Sequence, residues 1–348
     1  MRFSFLFSLL ILLSPLAHSQ YLYEEAENID VIVGNKTLEA PFTGGYNTAQ
    51  FSEIDLDQDG TMDLIVYDRS LGQVRPYLNQ GIRDSVAYTY APSYAKLFPS
   101  LRSWLLTIDY NQDGKMDLID GESGMRIWKN ISSPTSGLQF ELKGDLRSLY
   151  NAGNSQKIKI SSNSSSLPGF YDIDQDGDID VFTIHSNYGN TIEYHRNMAV
   201  ENGDTSYLDF ERRNECWGNF HDSLGFIVLG SCDRSRPGGE ILAPTSNESS
   251  DPASGKISSK TNPGGQQKHG ISAMITPIDI DGNSSMDIII SDFDNYKARL
   301  LLNADSTAPY VDSEIYASID SFPAYDVPLD LLYPAAYFID LNNDGKKD

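Results

Sequence analysis
The chain has 348 residues and a formal net charge of −23, with 49 Asp and Glu against 26 Lys and Arg. Nucleic acid is excluded as a partner class, because phosphate binding needs a basic face. With 40% apolar residues over this length, the chain can bury a substantial core.

Residues 1–19 read as an export signal. Arg2 precedes an apolar run over 3–13, and Ala17-His18-Ser19 precedes Gln20. No later stretch reaches the ~18 apolar residues of a membrane-spanning helix. The expected location is secreted or at the cell surface. Residues 20–44 form a lead-in strand region, and 45–348 hold a repeated unit.

That unit centres on a nine-residue phrase of oxygen donors around a turn, written five times. At positions 1, 3, 5 and 9 the first copy has Asp55, Asp57, Asp59 and Asp63. The second has Asp109, Asn111, Asp113 and Asp117, and the third Asp172, Asp174, Asp176 and Asp180. Asp279, Asp281, Asn283 and Asp287 make the fourth, and Asp340, Asn342, Asp344 and Asp348 the fifth. Four oxygen side chains in that register can converge on one hard cation, and Ca²⁺ takes six to eight oxygens. Position 6 is glycine in four copies and Ser284 in the other, where a left-handed backbone favours glycine. The fourth site is therefore expected to be the weakest.

An EF-hand would need a Glu at position 12 and helices on both sides. Position 12 is Val66, Asp120, Thr183 or Ile290, and the flanks are short β-branched and aromatic runs. These read as strands, so the loop is expected to be a metal-bound turn between two strands. A second apolar segment ending in Asn follows each of the first four loops. The Asn residues are Asn79, Asn130, Asn197 and Asn303, standing 16, 13, 17 and 16 residues after the position-9 Asp. The loops begin at 55, 109, 172, 279 and 340, so the third step spans about two units. One unit is expected to have lost its loop, with its remains near 224–229. A self-similar unit of 50–60 residues with room for four strands predicts an all-β fold, a β-propeller with about six blades in this chain.

The recurring Asp-x-Asp/Asn-x-Asp-Gly-x-x-Asp-apolar phrase between strands resembles the FG-GAP/VCBS repeats of secreted bacterial proteins. The resemblance covers about residues 45–348. It implies a seven-bladed propeller in the full protein, similar to the integrin α-subunit head, and calcium in the loops. It also implies a role in adhesion or interaction with an extracellular protein or glycan. Because the chain stops at the last ligand of the fifth loop, it is expected to be a fragment of a longer protein.

Cys216 and Cys232 are expected to pair in an exported chain, the alternative being two buried thiols. Residues 233–270, rich in Ser, Gly, Pro and Lys, read as a flexible insertion. No HExxH, GxSxG or P-loop pattern occurs. His185, His195, His221 and His269 show no ligand spacing in the sequence. The chain is therefore expected to be no enzyme. The alternative is a calcium-dependent polysaccharide lyase, or the scaffold domain of a larger secreted enzyme.

Overall fold
Four apolar runs, Leu64-Ile65-Val66, Leu118-Ile119, Val181-Phe182 and Ile288-Ile289-Ile290, follow the position-9 aspartates without the polar alternation of a one-sided strand. Strands of that kind belong in layers covered on both faces. In the computed structural model, each is the second strand of a four-stranded antiparallel meander. The structure describes residues 30–38, 43–150, 155–185, 190–204, 208–223, 226–232, 273–292, 295–303, 313–322 and 335–348. The expected signal (1–19) and insertion (233–270) lie outside the described residues.

The chain divides into two units, Met1–Pro41 and Phe42–Asp348. In the first, β1 (Ile32–Val33) and β2 (Lys36–Thr37) form a small hairpin. In the second, blade one runs β3 (Ala49–Ile54), β4 (Asp63–Asp68), β5 (Gln73–Asn79) and β6 (Tyr88–Tyr90), in that spatial order. Blade two runs β7 (Trp104–Ile108), β8 (Asp117–Gly121), β9 (Met125–Asn130) and β10 (Phe140–Asp145). Two short strands follow, β11 (Arg147–Leu149) and β12 (Ile158–Lys159). Blade three is β13 (Gly169–Tyr171), β14 (Asp180–Ile184), β15 (Ile192–Asn197) and β16 (Phe210–Asn214), with the one-turn helix α1 (Ala199–Asn202) before β16. Strand β11 pairs in parallel with β16, and β12 pairs with β11, so this sheet has six strands. A two-stranded sheet, β17 (Phe220–Ser223) and β18 (Phe226–Leu229), comes next. The fourth blade is β19 (Ala273–Ile278), β20 (Asp287–Asp292), β21 (Asn295–Asn303) and β22 (Ile315–Phe322).

The blades stack face to face, and the period-2 geometry of a strand does the stacking. On β8, Leu118 points into a cluster with Ile54, Ile65 and Tyr67 of blade one. Its neighbour Ile119 points the other way, into a cluster with Val181 and Phe210 of blade three. On β14 the pattern repeats. Val181 faces blade two, and Phe182 packs with Ile275, Ile288 and Ile290 of blade four. On β20, Ile289 turns toward Ala336 and Phe338, ahead of the fifth loop. The result is a propeller-like arrangement of four blades.

The described residues thus supply four blades where the spacing predicts about six. Among the described residues, the unit between the cysteines contributes the β17–β18 hairpin. Trp217 and Phe220 anchor it in the core shared by blades three and four. The segment leading into β13 pairs directly with β19, the first strand of blade four. The Ile275 amide donates to Leu167 O at 3.0 Å, and the Leu167 amide to Ala273 O at 3.1 Å. A Cβ on Gly169 would stand 2.7 Å from Pro277 Cγ, so glycine permits the approach. Cys216 and Cys232 are disulfide-bonded, with Cα atoms 6.0 Å apart. The bridge ties the approach to β17 to the residues after β18.

The first strands surround a cavity of about 270 Å³. Phe51, Leu106, Phe170, Pro277 and Tyr337 line it, one from each blade and one from the segment before the fifth loop. That segment joins both neighbours: Thr276 Oγ1 donates to Ala336 O at 3.1 Å, and Tyr337 meets Phe51 edge-to-face at 5.6 Å.

Candidate metal centres
All five loops fold alike, and backbone dihedrals show why the phrase is written as it is. Positions 4 and 6 are both left-handed in every copy. The pairs are Gln58 and Gly60, Gln112 and Gly114, Gln175 and Gly177, Gly282 and Ser284, and Asn343 and Gly345. Ser284, with φ 70°, replaces the expected glycine, but copy four carries its glycine at position 4 instead, with φ 74°. Each loop therefore keeps one glycine for two left-handed positions, and the fourth loop closes like the others.

The position-1 carboxylate accepts the position-6 amide in each loop. Asp55, Asp109, Asp172, Asp279 and Asp340 accept at 3.1, 2.8, 3.0, 2.9 and 2.8 Å. The position-9 carboxylate is the hub, buried in the first four loops and exposed in the fifth. One oxygen of Asp63 accepts the Leu56 amide at 2.8 Å, and the other accepts the Asn79 amide at 2.7 Å. Asp180 and Asp287 repeat both bonds, to Ile173 and Asn197 and to Ile280 and Asn303. Asp117 accepts the Asn130 amide at 2.6 Å, and Asp348 accepts the Leu341 amide at 2.9 Å. The recurring Asn has a reason that spacing alone does not reveal. Its side-chain amide donates to the position-8 carbonyl, from Asn79 to Met62, Asn130 to Met116, Asn197 to Ile179 and Asn303 to Met286. Each Asn clamps the loop's exit from its third strand.

Burial opposes charge on these hubs. It pushes Asp63 up to about 6 and Asp117 up to about 7, although backbone amides pull both down. Asp180 is raised well above the ordinary carboxylate range for the same reason, and burial also raises Asp172, Asp174 and Asp287. Oxygens of Asp55, Asp117 and Asp172 are buried without a hydrogen-bond partner. Carboxylate oxygens of Asp55, Asp57 and Asp63 lie within 4.8 Å of one another, as do those of Asp172, Asp174 and Asp180 and those of Asp279, Asp281 and Asp287. Asn111 and Asn342 supply amide oxygens at position 3 of the other two loops, each accepting the position-5 amide.

The loops also differ. Arg196 enters the third cluster, pairing with Asp174, with Asp176 at 3.1 Å and with Glu201. Lys129 lies 3.2 Å from Asp113 in the second. Position-4 side chains tie loops together: Gln112 donates to Gly177 O, and Gln175 donates to Ser284 O at 3.0 Å. Asn343 and Asn79 exchange amide bonds at 2.8 and 3.0 Å, joining the fifth loop to blade one.

Two of the histidines, His185 and His195, meet in a buried network around Glu193. His195 Nδ1 lies 2.9 Å from Ser148 Oγ, and its Nε2 lies 3.2 Å from Glu193. Glu193 also meets Arg212 at 2.9 Å and His185 at 3.5 Å. This Ser-His-Glu connectivity resembles a nucleophilic triad. Ser148, His195 and Glu193 are each 0% exposed, so no substrate reaches the hydroxyl. The network serves to satisfy buried polar groups in blade three.

Fold and loops define an all-β, propeller-like repeat protein with acidic loops between strands. No family model matches the chain, and no curated protein matches it. Among solved structures it is similar to a chain of the Photorhabdus luminescens Tc holotoxin pore carrying the TccC3-D651A mutation. The identity is 15% and the TM-score 0.34, over 89% of this chain and 12% of the length of that one.

Proposed function
We propose that the chain is an exported, calcium-stabilised β-propeller module of the FG-GAP/VCBS type. It presents a rigid surface to an extracellular protein or glycan and carries out no chemistry of its own. The observation that supports this reading is the convergence of carboxylates in the first, third and fourth loops, with buried oxygens of Asp55 and Asp172 that have no hydrogen-bond partner. The donor set is oxygen only, without His or Cys, and suits a hard cation. Side chains at positions 1, 3, 5 and 9 of each loop would hold the ion. Calcium would supply charge neutralisation there and fix the strand connection.

Extracellular calcium sites bind at ~10⁻⁴–10⁻³ M. A site held at ten times its Kd adds ~1.4 kcal/mol to the folded state. Chelation is therefore expected to lower the melting temperature by several degrees, and calcium alone to restore it. An unchanged melting curve in chelator contradicts the reading. In a glycan and extracellular-protein binding screen, saturable binding without turnover is the expected result. Release of unsaturated sugars from a polysaccharide contradicts the non-catalytic part.

A further inference from the structure
The residue just before each recurring Asn is Leu78, Lys129, Arg196 and Leu302 in the four complete units. This one position distinguishes loops that otherwise fold alike. Leu78 and Leu302 pack against the cores of their own blades. Arg196 instead reaches the position-3 and position-5 carboxylates, Asp174 and Asp176, and holds Glu201 as well. The side chain of Asp174 is only 5% exposed, so the guanidinium sits against a nearly buried carboxylate. Lys129 makes one contact, to Asp113, with both side chains about one-third exposed.

We infer that this position sets the metal dependence of each loop, an inference that rests on the calcium reading above. In the third loop Arg196 is a tethered cation that neutralises the cluster when calcium is absent. It keeps the loop closed, and an incoming ion must displace it. Arginine suits the task because its planar fork meets two carboxylates at once. Released, it still has Glu201 as a partner. The first and fourth loops have leucine there and depend on the ion for neutralisation. The second loop is intermediate, because a lysine pair about one-third exposed contributes little. Falling calcium therefore loosens blades one and four first and leaves blade three closed.

Hydrogen exchange of the full chain, with and without chelator, tests this. The reporters are the amides that bond the position-9 carboxylate: Leu56, Ile173 and Ile280. For sites held at ten times Kd, chelation should cut protection at Leu56 and Ile280 about tenfold, and at Ile173 less than twofold. In Arg196→Leu, Ile173 should become as calcium-dependent as Leu56. Arg196→Gln, which keeps a polar side chain, should behave likewise if the leucine variant folds poorly. Leu302→Lys should reduce the calcium dependence of Ile280. Equal responses at Leu56 and Ile173 in the wild type overturn the inference, as does an Ile173 response that both Arg196 variants leave unchanged. A third pattern, no chelator response at any amide in any variant, refutes the calcium reading itself and this inference with it.

Discussion

Replacing Asp63 and Asp59 one at a time separates two roles within a single loop. Asp63 is 1% exposed, and its two oxygens accept the amides of Leu56 and Asn79. Asp63→Ala leaves both buried N–H groups without an acceptor, at ~1–3 kcal/mol each, so the expected loss is ~2–6 kcal/mol. Most of that loss needs no metal and should persist in chelator. Asp59 is exposed and accepts the Thr61 amide at 2.7 Å. Asp59→Ala should cost ~0.5–1.5 kcal/mol in chelator. In calcium it should cost a further ~1.4 kcal/mol, the contribution of an ion held at ten times its Kd. Urea unfolding followed by tryptophan fluorescence reads both, with the buried Trp104 and Trp217 as probes. The reasoning fails if Asp63→Ala costs no more than Asp59→Ala in chelator, because the hub would then not be holding the two strands together.

Moving the glycines should be felt locally. Ser284→Gly should stabilise the fourth loop by ~1 kcal/mol in thermal melts, and Gly60→Ser should destabilise the first by a similar amount; opposite signs would show that position 6 is not under backbone strain. Reducing the Cys216–Cys232 bridge should cost ~3 kcal/mol in urea unfolding, and an unchanged midpoint would mean the bridge constrains nothing. Acid should weaken blade three. Burial holds His195 below its ordinary value, while His195, His185 and Arg212 outweigh burial and hold Glu193 low. The unfolded chain therefore takes up protons that the folded chain refuses, first below ~6.5 at the histidine and then below ~4.5 at the glutamate. Stability from these groups is present at neutral pH and lost on acidification. The stability difference between wild type and His195→Gln should shrink from pH 7.5 to 5.5, and a pH-independent difference would contradict this.

The loops were legible because their chemistry is local. Nine residues hold every donor and both left-handed positions, so the phrase survives translation into structure with its register intact. The flanking strands were legible for the same reason, as short apolar runs after each position-9 Asp. The recurring Asn was visible, but its work was not, since the bond from Asn79 to Met62 depends on a third strand returning beside the loop. Copy four looked defective by its Ser284. The compensation at Gly282 appears only when two left-handed positions are counted together. The β17–β18 hairpin was hidden because chain length alone does not show how a unit without an acidic loop folds. The pairing of His195 with Ser148, 47 residues away, is set by the parallel docking of β11 on β16. No periodicity in the sequence announces it. In the sequence Arg196 is one residue of a segment that reads as a strand. Its meaning came from the carboxylates that β15 brings it against.

The central claim is that the five bends close around divalent ions. Crystals of the protein grown in millimolar calcium, measured for anomalous scattering, test it most directly. The expected result is a peak among Asp55, Asp57, Asp59 and Asp63, and at the matching positions of the other loops, strongest where Leu78 and Leu302 leave the carboxylates without an internal cation. Loops with no peak, their carboxylates turned to solvent, would contradict it.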